Sequence, residues 1–235
     1  MNALRGPRQL TLDLDHAESF ARDDFLGGPS NAAALTLIDA WPDWPNATVA
    51  LVGPEGSGKS HLASIWAAQA GARCVAARSL ADTGVPAALA TGALVVEDAA
   101  EAGFDETAMF HLLNLTREEG AYVLLTARTA PATWAIRTPD LASRLKALPA
   151  VALAPPDDAL LRALLVKLFA DRQLGVDEPL VGYVATRIGR SFADARAAVA
   201  TLDQEAMRLK RPLTRALAAE VLGRNLGHRP ALTEK

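Results

Sequence analysis

One eight-residue stretch, Gly53-Pro54-Glu55-Gly56-Ser57-Gly58-Lys59-Ser60, constrains this chain more than any other part of its sequence. It follows an apolar run at 49–52 and opens into an apolar-periodic segment at 61–70, which predicts a strand, a loop and a helix in that order. The glycines let successive backbone N–H groups point inward at phosphate oxygens. Lys59 can then reach the outer phosphates, and the Ser60 hydroxyl can coordinate Mg²⁺. We therefore predict a nucleotide phosphate-binding loop; the alternative is a glycine-rich turn that binds nothing.

Composition indicates a folded protein without an overall affinity for nucleic acid. Of the 235 residues, 50% are hydrophobic and 22% are charged, which suits one core domain with a small second unit. The 24 basic and 27 acidic residues give a formal net charge of −3. Because this balance supplies no general basic field, direct DNA binding is not expected. The four histidines are scattered, so no zinc-binding pattern exists.

The single cysteine and the absence of a long apolar stretch predict the cellular compartment. Cys74 cannot form an internal disulfide and lies in the apolar run 74–77, so we predict a buried thiol in a reducing environment. The N-terminus shows no apolar core of the signal-peptide kind, and no apolar run is long enough to span a bilayer. We expect a cytoplasmic protein.

Apolar runs and helix-periodic segments alternate through the first two thirds of the chain. The predicted strands lie at 48–52, 73–77, 93–98, 122–125 and 151–153, with helical segments between them. This alternation predicts an α/β fold with a parallel five-stranded sheet and helices on both faces. After Pro155-Pro156 only helices are predicted, at 158–171, 178–188, 191–209 and 214–226. The predicted domains are an N-terminal segment at 1–19, an α/β domain at 20–154, a helical domain at 155–227 and a tail at 228–235.

Polar residues at two predicted strand ends are candidates for catalysis. Glu97 and Asp98 follow four apolar residues, as expected where a buried parallel strand reaches the ligand-binding edge of its sheet. Beside a phosphate loop, such carboxylates help to hold Mg²⁺ and orient an attacking water. Thr126 ends the next strand, where its hydroxyl could contact the γ-phosphate or that water. The alternatives are two acids in a turn and an ordinary strand-end threonine.

Leucines alternate with polar residues near the N-terminus, in Gln9-Leu10-Thr11-Leu12-Asp13-Leu14. By pattern alone this segment is an edge strand. It could instead be a docking peptide whose apolar side chains fill a groove on a partner protein. The residues that would make the contact are Gln9, Leu10, Leu12 and Leu14.

Together these motifs resemble the AAA+ ATPases, and the DnaA branch in particular, over about residues 20–226. The segment 25–31, ending in Asn31, is similar to that branch's nucleotide-base segment. Glu97-Asp98 stands where the family has its Walker B acids, Thr126 at sensor 1, Arg144 at the arginine finger and Arg196 at sensor 2. The resemblance implies a cofactor-binding set of Asn31, Gly53, Pro54, Glu55, Gly56, Ser57, Gly58, Lys59, Ser60, His61 and Arg196, with Mg²⁺ held by Ser60, Glu97 and Asp98.

Within that branch the chain is most similar to the Hda-type regulatory homologues of DnaA. These proteins begin with a hexapeptide similar to 9–14 that docks on the sliding clamp of the replicative polymerase, and no dedicated DNA-binding domain is expected after the helical lid. The resemblance implies that the chain binds ADP or ATP with Mg²⁺, docks on the clamp, and stimulates hydrolysis of DnaA-bound ATP by inserting Arg144 in trans. A nucleotide-dependent homo-oligomer is compatible with this family.

One departure from the family keeps other functions open. DnaA has two aspartates where this chain has Glu97-Asp98, and the longer first side chain changes the reach to Mg²⁺, so we expect weak or no intrinsic ATPase activity. The main alternative is an AAA+ helicase loader or motor that hydrolyses its own ATP; an adaptor that anchors DnaA-like proteins on DNA is a third. Arg144 could also be a surface arginine paired with Asp140, and Arg196 a solvated arginine of the lid.

Overall fold

Five short runs rich in valine, leucine and alanine form the centre of the molecule as one parallel sheet. In this computed structural model, which describes residues 22–99 and 104–226, the strand order is β2-β3-β4-β1-β5. All four strand pairings are parallel. The strands are β1 (Thr48–Val52), β2 (Arg73–Ala76), β3 (Ala93–Glu97), β4 (Tyr122–Ala127) and β5 (Ala150–Ala152). The predicted five-stranded parallel sheet is therefore confirmed.

Helices cover both faces of this sheet and continue beyond it. Those described are α1 (Ala32–Asp39), α2 (Lys59–Ala70), α3 (Leu80–Thr83), α4 (Val85–Ala88), α5 (Glu106–Glu119), α6 (Pro139–Lys146), α7 (Asp158–Asp171), α8 (Glu178–Ala185), α9 (Phe192–Leu209) and α10 (Arg215–Leu226). Short 3-10 turns lie at Arg22–Asp24, Ala77–Ser79 and Pro131–Thr133. Within the described ranges, no helix combines the length and hydrophobicity that crossing a bilayer requires.

Alternating side chains of the strands divide the core between the two faces. On β1, Val49 and Leu51 pack with residues of α1 and α2, whereas Ala50 and Val52 pack with residues of α3 to α6. This alternation follows from the two-residue period of a strand. The apolar residues of α7 to α10 form a further cluster of their own, which includes Phe169 and Leu202.

Two sequence predictions differ from the structure in this part of the molecule. Cys74 is exposed rather than buried, because β2 is an edge strand and is paired only with β3. The second helix of the C-terminal region, α8, ends at Ala185 rather than 188. There the N–H of Arg187 donates to the carbonyl oxygen of Val184, three residues earlier, so the last turn is tighter than an α-helix.

The predicted docking segment with Gln9, Leu10, Leu12 and Leu14 lies outside the described residues, as does the predicted tail at 228–235. The domain boundary at Pro155-Pro156 stays a prediction.

Candidate functional site

The predicted phosphate loop connects β1 to α2 and needs glycine where it meets the C-terminal helices. Gly56 has φ +70°, and a Cβ added there would lie 2.7 Å from the Cβ of Ser191. The carbonyl oxygen of Gly56 also accepts a hydrogen bond from the backbone N–H of Phe192, at 2.8 Å. The loop is therefore fixed by main-chain contact with the first residues of α9, and a side chain at position 56 would push the two apart.

Lys59, the first residue of α2, folds back over this loop. Its Nζ donates to the carbonyl oxygens of Gly53 and Pro54, at 2.9 and 2.7 Å, and only 8% of the residue is exposed. Burial lowers the pKa of Lys59, and nearby Arg128 lowers it further, while Asp98 and Glu55 act in the opposite direction. The ammonium group is thus held at the loop, within the field of an acid at the end of β3.

Two serines of the loop present hydroxyl groups in different settings. Ser57 is buried, and its Oγ has no hydrogen-bond partner among the described residues. A buried hydroxyl without a partner is costly, and a ligand oxygen arriving at the loop would relieve that cost. Ser60, the second residue of α2, is exposed, so its hydroxyl is accessible from solvent.

The predicted acids and the predicted threonine come together at the carboxyl ends of neighbouring strands. Glu97 is the last residue of β3 and is half-buried, and Asp98 follows it, exposed, with φ +56°. The N–H of Asp98 donates to the Thr126 hydroxyl at 3.2 Å. The N–H of Ala99 donates to the Thr126 carbonyl oxygen at 2.8 Å. Thr126 is 1% exposed, so this pairing fixes the turn that carries Asp98.

Asn31 uses its side chain to hold the segment before α1. Its Oδ1 accepts from the N–H of Gly28 at 2.8 Å, and its Nδ2 donates to the carbonyl oxygen of Leu26 at 3.0 Å. Leu26 packs against the apolar cluster of α7 to α10, and a Cβ on Gly28 would lie 3.2 Å from Leu160 of α7. Asn31 thereby ties the predicted base segment to the C-terminal helices.

Three rings join the base segment, the loop helix and α9. Phe25 meets His61 of α2 edge-on, with ring centroids 5.2 Å apart, and stacks on Phe192 with centroids 6.4 Å apart. All three residues are buried. Arg196 lies one turn after Phe192 on α9 and is half-buried. The start of α9 therefore adjoins the phosphate loop and brings Arg196 to the same region of the molecule.

Arg144 lies on α6, and its contacts are with α5. Its guanidinium donates a hydrogen bond to Oδ1 of Asn114 and lies 4.7 Å from the centroid of the Phe110 ring. Its hydrogen-bond partner is thus Asn114 and not Asp140, the partner that helical spacing suggested. The residue as a whole is exposed.

Two further charged residues belong to this region but were not among the predicted site residues. Arg128 pairs with Glu55 of the loop at 3.1 Å, both side chains being more than half exposed. Its position two residues after Thr126, at the carboxyl end of β4, was a signal that could have identified it. Glu106 begins α5 and binds the backbone ahead of α6, and no local pattern indicates this contact, since the partners are more than thirty residues apart in sequence.

The residues of the loop fit a phosphate group and a hard cation. The buried Lys59 side chain supplies positive charge, and the buried Ser57 hydroxyl offers a donor that has no partner among the described residues. The start of α9 closes one side of the loop at Gly56. The described residues contain no cluster of three or more His, Cys, Asp and Glu side chains that could hold a metal by themselves. A magnesium ion here would therefore depend on Ser60, on the acids after β3 and on phosphate oxygens. A shallow cavity of about 600 Å³ lies elsewhere, over the start of α5 and the two residues that precede α6.

Solved structures of replication initiation proteins and of a branch migration motor share this fold. Domain III of the replication initiation protein DnaA from Thermotoga maritima is 18% identical, with 87% of this chain and 96% of that one covered and a TM-score of 0.70. AMPPCP-bound DnaA from Aquifex aeolicus is 16% identical over 80% and 67% of the two chains, with a TM-score of 0.64. The Thermotoga maritima RuvB Holliday junction branch migration motor is 17% identical over 87% and 72%, with a TM-score of 0.68.

The chain has the AAA+ fold. Identities of 15 to 18% show the fold alone. No family model matches the sequence, and no curated protein matches it either. Within this fold, the loop residues 53–61 lie at one edge of the sheet together with Glu97, Asp98 and Thr126, and α9 is adjacent to them. Arg144 makes its contacts elsewhere, between α5 and α6.

Proposed function

We propose that this chain is an adenine-nucleotide-binding regulator of replication initiation of the Hda type. It docks on the polymerase sliding clamp through Gln9, Leu10, Leu12 and Leu14 and stimulates hydrolysis of DnaA-bound ATP through Arg144. The observation that carries the nucleotide-binding half is the loop itself, with Lys59 buried against it and Asp98 fixed nearby by Thr126. The likeness to DnaA, one structure of which holds AMPPCP, supports an adenine nucleotide.

Each residue of the site has a role in this proposal. Lys59 and the loop N–H groups bind the β- and γ-phosphates, and the buried Ser57 hydroxyl gains a phosphate oxygen as partner. Thr126 and Arg196 face the phosphates from the ends of β4 and α9. Ser60, Glu97 and Asp98 would hold Mg²⁺, whose positive charge would offset that of the phosphates. The remaining members of the set, Asn31, Gly53, Pro54, Glu55, Gly56, Gly58 and His61, shape the loop and the base segment.

Arg144 acts on a neighbour's nucleotide in this proposal. A guanidinium placed beside a terminal phosphate stabilises the charge that develops during phosphoryl transfer, which is worth about 10³ to 10⁵ in rate in proteins that use it. Arg144 is exposed on α6, as a group that reaches another molecule must be. The chain's own nucleotide, ADP or ATP, then stabilises the fold and the contact surface instead of driving work, which agrees with the unusual Glu97-Asp98 pair.

The decisive experiment measures hydrolysis of ATP preloaded on DnaA, in the presence of the clamp on DNA. The unmodified chain is expected to accelerate hydrolysis. Arg144→Ala should still bind the clamp but should not accelerate hydrolysis. The double variant Gln9→Ala, Leu14→Ala should lose clamp binding. Arg208→Ala, an exposed arginine of α9, is the matched control and should behave as the unmodified chain. Full acceleration by Arg144→Ala would remove Arg144 from the mechanism.

A helicase loader or motor is the second candidate, because the acids after β3 and Thr126, which lie together, could also serve intrinsic ATP hydrolysis. Steady-state ATP hydrolysis by the isolated chain distinguishes the two. Rapid turnover that single-stranded DNA stimulates favours the loader, whereas slow turnover unaffected by DNA favours the regulator. Cytoplasmic localisation and a nucleotide-dependent homo-oligomer are further parts of the regulator proposal.

A further inference from the structure

Helix α5 has one face that is directed at α6 and at the arginine it carries. Glu106, Phe110 and Asn114 follow one another at intervals of four residues, which places them on the same side of the helix. All three contact the chain between 137 and 144. We name these three residues the α5 stripe. No sequence pattern indicates this stripe, since its members are an acid, an aromatic ring and an amide.

At its first residue, the stripe holds the backbone that enters α6. The Glu106 carboxylate accepts from the N–H groups of Arg137 and Thr138, both at 3.0 Å, and from the Thr138 hydroxyl at 2.7 Å. The N-terminal N–H groups of a helix lack partners within the helix, so an acid that binds the residues ahead of it fixes where the helix starts. These three hydrogen bonds cover most of the Glu106 side chain, 14% of which remains exposed.

The body of α6 is fixed by apolar packing. Leu141 and Leu145 are fully buried in the cluster beneath the sheet, and Arg144 lies between them in sequence. Because the burial of Leu141 and Leu145 fixes the backbone on both sides of Arg144, only the side chain of Arg144 is free to change its conformation. The direction of the guanidinium then depends on the contacts that this long side chain makes at the surface.

Asn114 and Phe110, the other two members of the stripe, supply that direction. The Phe110 ring lies under the guanidinium at 4.7 Å, and Asn114 Oδ1 accepts from one terminal nitrogen, Nη1. An arginine has five N–H donors in a planar fork, so these contacts leave four for another acceptor. The neutral amide and the ring hold the group without neutralising its charge, unlike a carboxylate, which would compete with an anion for it.

We propose that Phe110 and Asn114 are positioning residues that hold the Arg144 guanidinium ready for the terminal phosphate of a nucleoside triphosphate bound by a neighbouring protein, with Glu106 anchoring α6 beneath it. This inference rests on the proposed function of Arg144 in trans. Its physical basis is that ordering a long side chain in advance removes an entropic cost from the transition state. The expected effect falls on the maximal rate and not on the affinity between the two proteins.

The experiment titrates ATP-loaded DnaA with clamp-bound chain and fits the maximal hydrolysis rate and the half-saturating concentration separately. Asn114→Ala and Phe110→Leu should each lower the maximal rate about three- to tenfold and leave the half-saturating concentration unchanged. Phe110→Tyr, which keeps the aromatic face, should restore the rate. In the Arg144→Ala background, Asn114→Ala should have no further effect. His111→Ala, on an exposed position of α5 outside the stripe, is the control.

A second measurement on the chain alone separates this inference from the proposed function. Nitrogen relaxation of the Arg144 Nε–H group should show an ordered side chain in the unmodified protein and a mobile one in Asn114→Ala. Equal mobility in both would overturn the positioning role, as would an unchanged maximal rate in Asn114→Ala and Phe110→Leu. If the unmodified chain gives no Arg144-dependent hydrolysis, the proposed function fails, and the relaxation result alone decides whether the stripe orders Arg144.

Discussion

The phosphate loop and the Arg144 region are held together in different ways. Around the loop, contacts run through main-chain atoms: Lys59 donates to two carbonyl oxygens, and Phe192 N–H donates to Gly56. Around Arg144 the contacts run between side chains of α5 and α6, and the guanidinium is exposed. Main-chain contacts fix a geometry tightly, whereas exposed side-chain contacts stabilise a protein little. The first region therefore has the fixed geometry that a ligand site requires, and the second presents a charged group to solvent.

Replacing Lys59 should have the largest effect and would test whether the loop is built for a ligand. Lys59→Ala removes the cation that would contact the phosphates. Since hydrogen bonds to charged groups are each worth about 1.5–3 kcal/mol, affinity for ADP should fall on the order of 100-fold or more. Isothermal titration calorimetry measures the change. Lys146→Ala, an exposed lysine of α6, should bind ADP as the unmodified chain does; unaltered affinity in Lys59→Ala would contradict the phosphate-loop assignment.

A pair of glycine variants should have the next largest effect, on stability. Gly56 and Gly120 both have left-handed backbones, with φ of +70° and +65°. A Cβ on Gly56 would lie 2.7 Å from Ser191, whereas nothing lies within 4 Å of one on Gly120. Both alanine variants should lose about 1 kcal/mol to backbone strain, and Gly56→Ala should lose about 1–3 kcal/mol more through crowding at α9. Urea unfolding measures both.

Only Gly56→Ala should also weaken ADP binding, because only that substitution separates the loop from α9. Equal losses of stability in the two variants, with unchanged ADP affinity, would show that the contact between Gly56 and Ser191 does not constrain the loop.

The sequence predicts the loop region well because its determinants are local. The strand before Gly53, the helix after Ser60 and the parallel sheet follow from periodicity and glycine spacing within short windows. The position of Asp98 and Thr126 at strand ends follows almost as directly from the polar residues after two apolar runs, but their hydrogen bond was not predicted. The exposure of Cys74 was missed for the opposite reason. Whether an apolar strand lies at the edge or in the centre of a sheet depends on the order of strands, which a local window does not contain.

The Arg144 contacts could not be predicted from the sequence for a related reason. Helical spacing offered Asp140 as a partner, but the guanidinium binds Asn114, thirty positions away in the chain. The same holds for Glu106 and Thr138. Contacts between side chains of separate helices depend on how those helices pack, which is a property of the assembled core, here set by Leu141 and Leu145.

Replacing Glu106, which binds the backbone ahead of α6, should have a moderate effect on stability that depends on pH. The N–H of Arg137, then the hydroxyl and N–H of Thr138, lower the pKa of Glu106 to about 2 from the ordinary 4.5. Because the folded state favours the ionised form, its stabilisation is complete above the unfolded pKa. That stabilisation is lost as the pH falls from about 5 towards 2. Urea unfolding at several pH values should show a smaller acid-induced loss in Glu106→Gln than in the unmodified chain.

Glu118→Gln, on an exposed position near the end of the same helix, is the control for that series and should follow the unmodified chain. The idea that an acid anchors α6 would not survive if Glu106→Gln and Glu118→Gln lost stability in parallel at every pH.

Arg144→Ala should have the smallest effect on the free energy of unfolding. A small change would support the contrast between the two regions most directly. The substitution removes one exposed hydrogen bond and one contact with the Phe110 ring. Exposed contacts of these kinds are each worth about 0.5–1 kcal/mol at most, and the freed arginine entropy offsets part of that. The free energy of unfolding should therefore change by less than about 1 kcal/mol, as measured by urea unfolding at neutral pH. A loss several times larger would mean that Arg144 stabilises the packing of α5 against α6. Any defect of Arg144→Ala in stimulated hydrolysis would then reflect a change in the fold, and not the loss of a guanidinium that contacts a neighbouring protein.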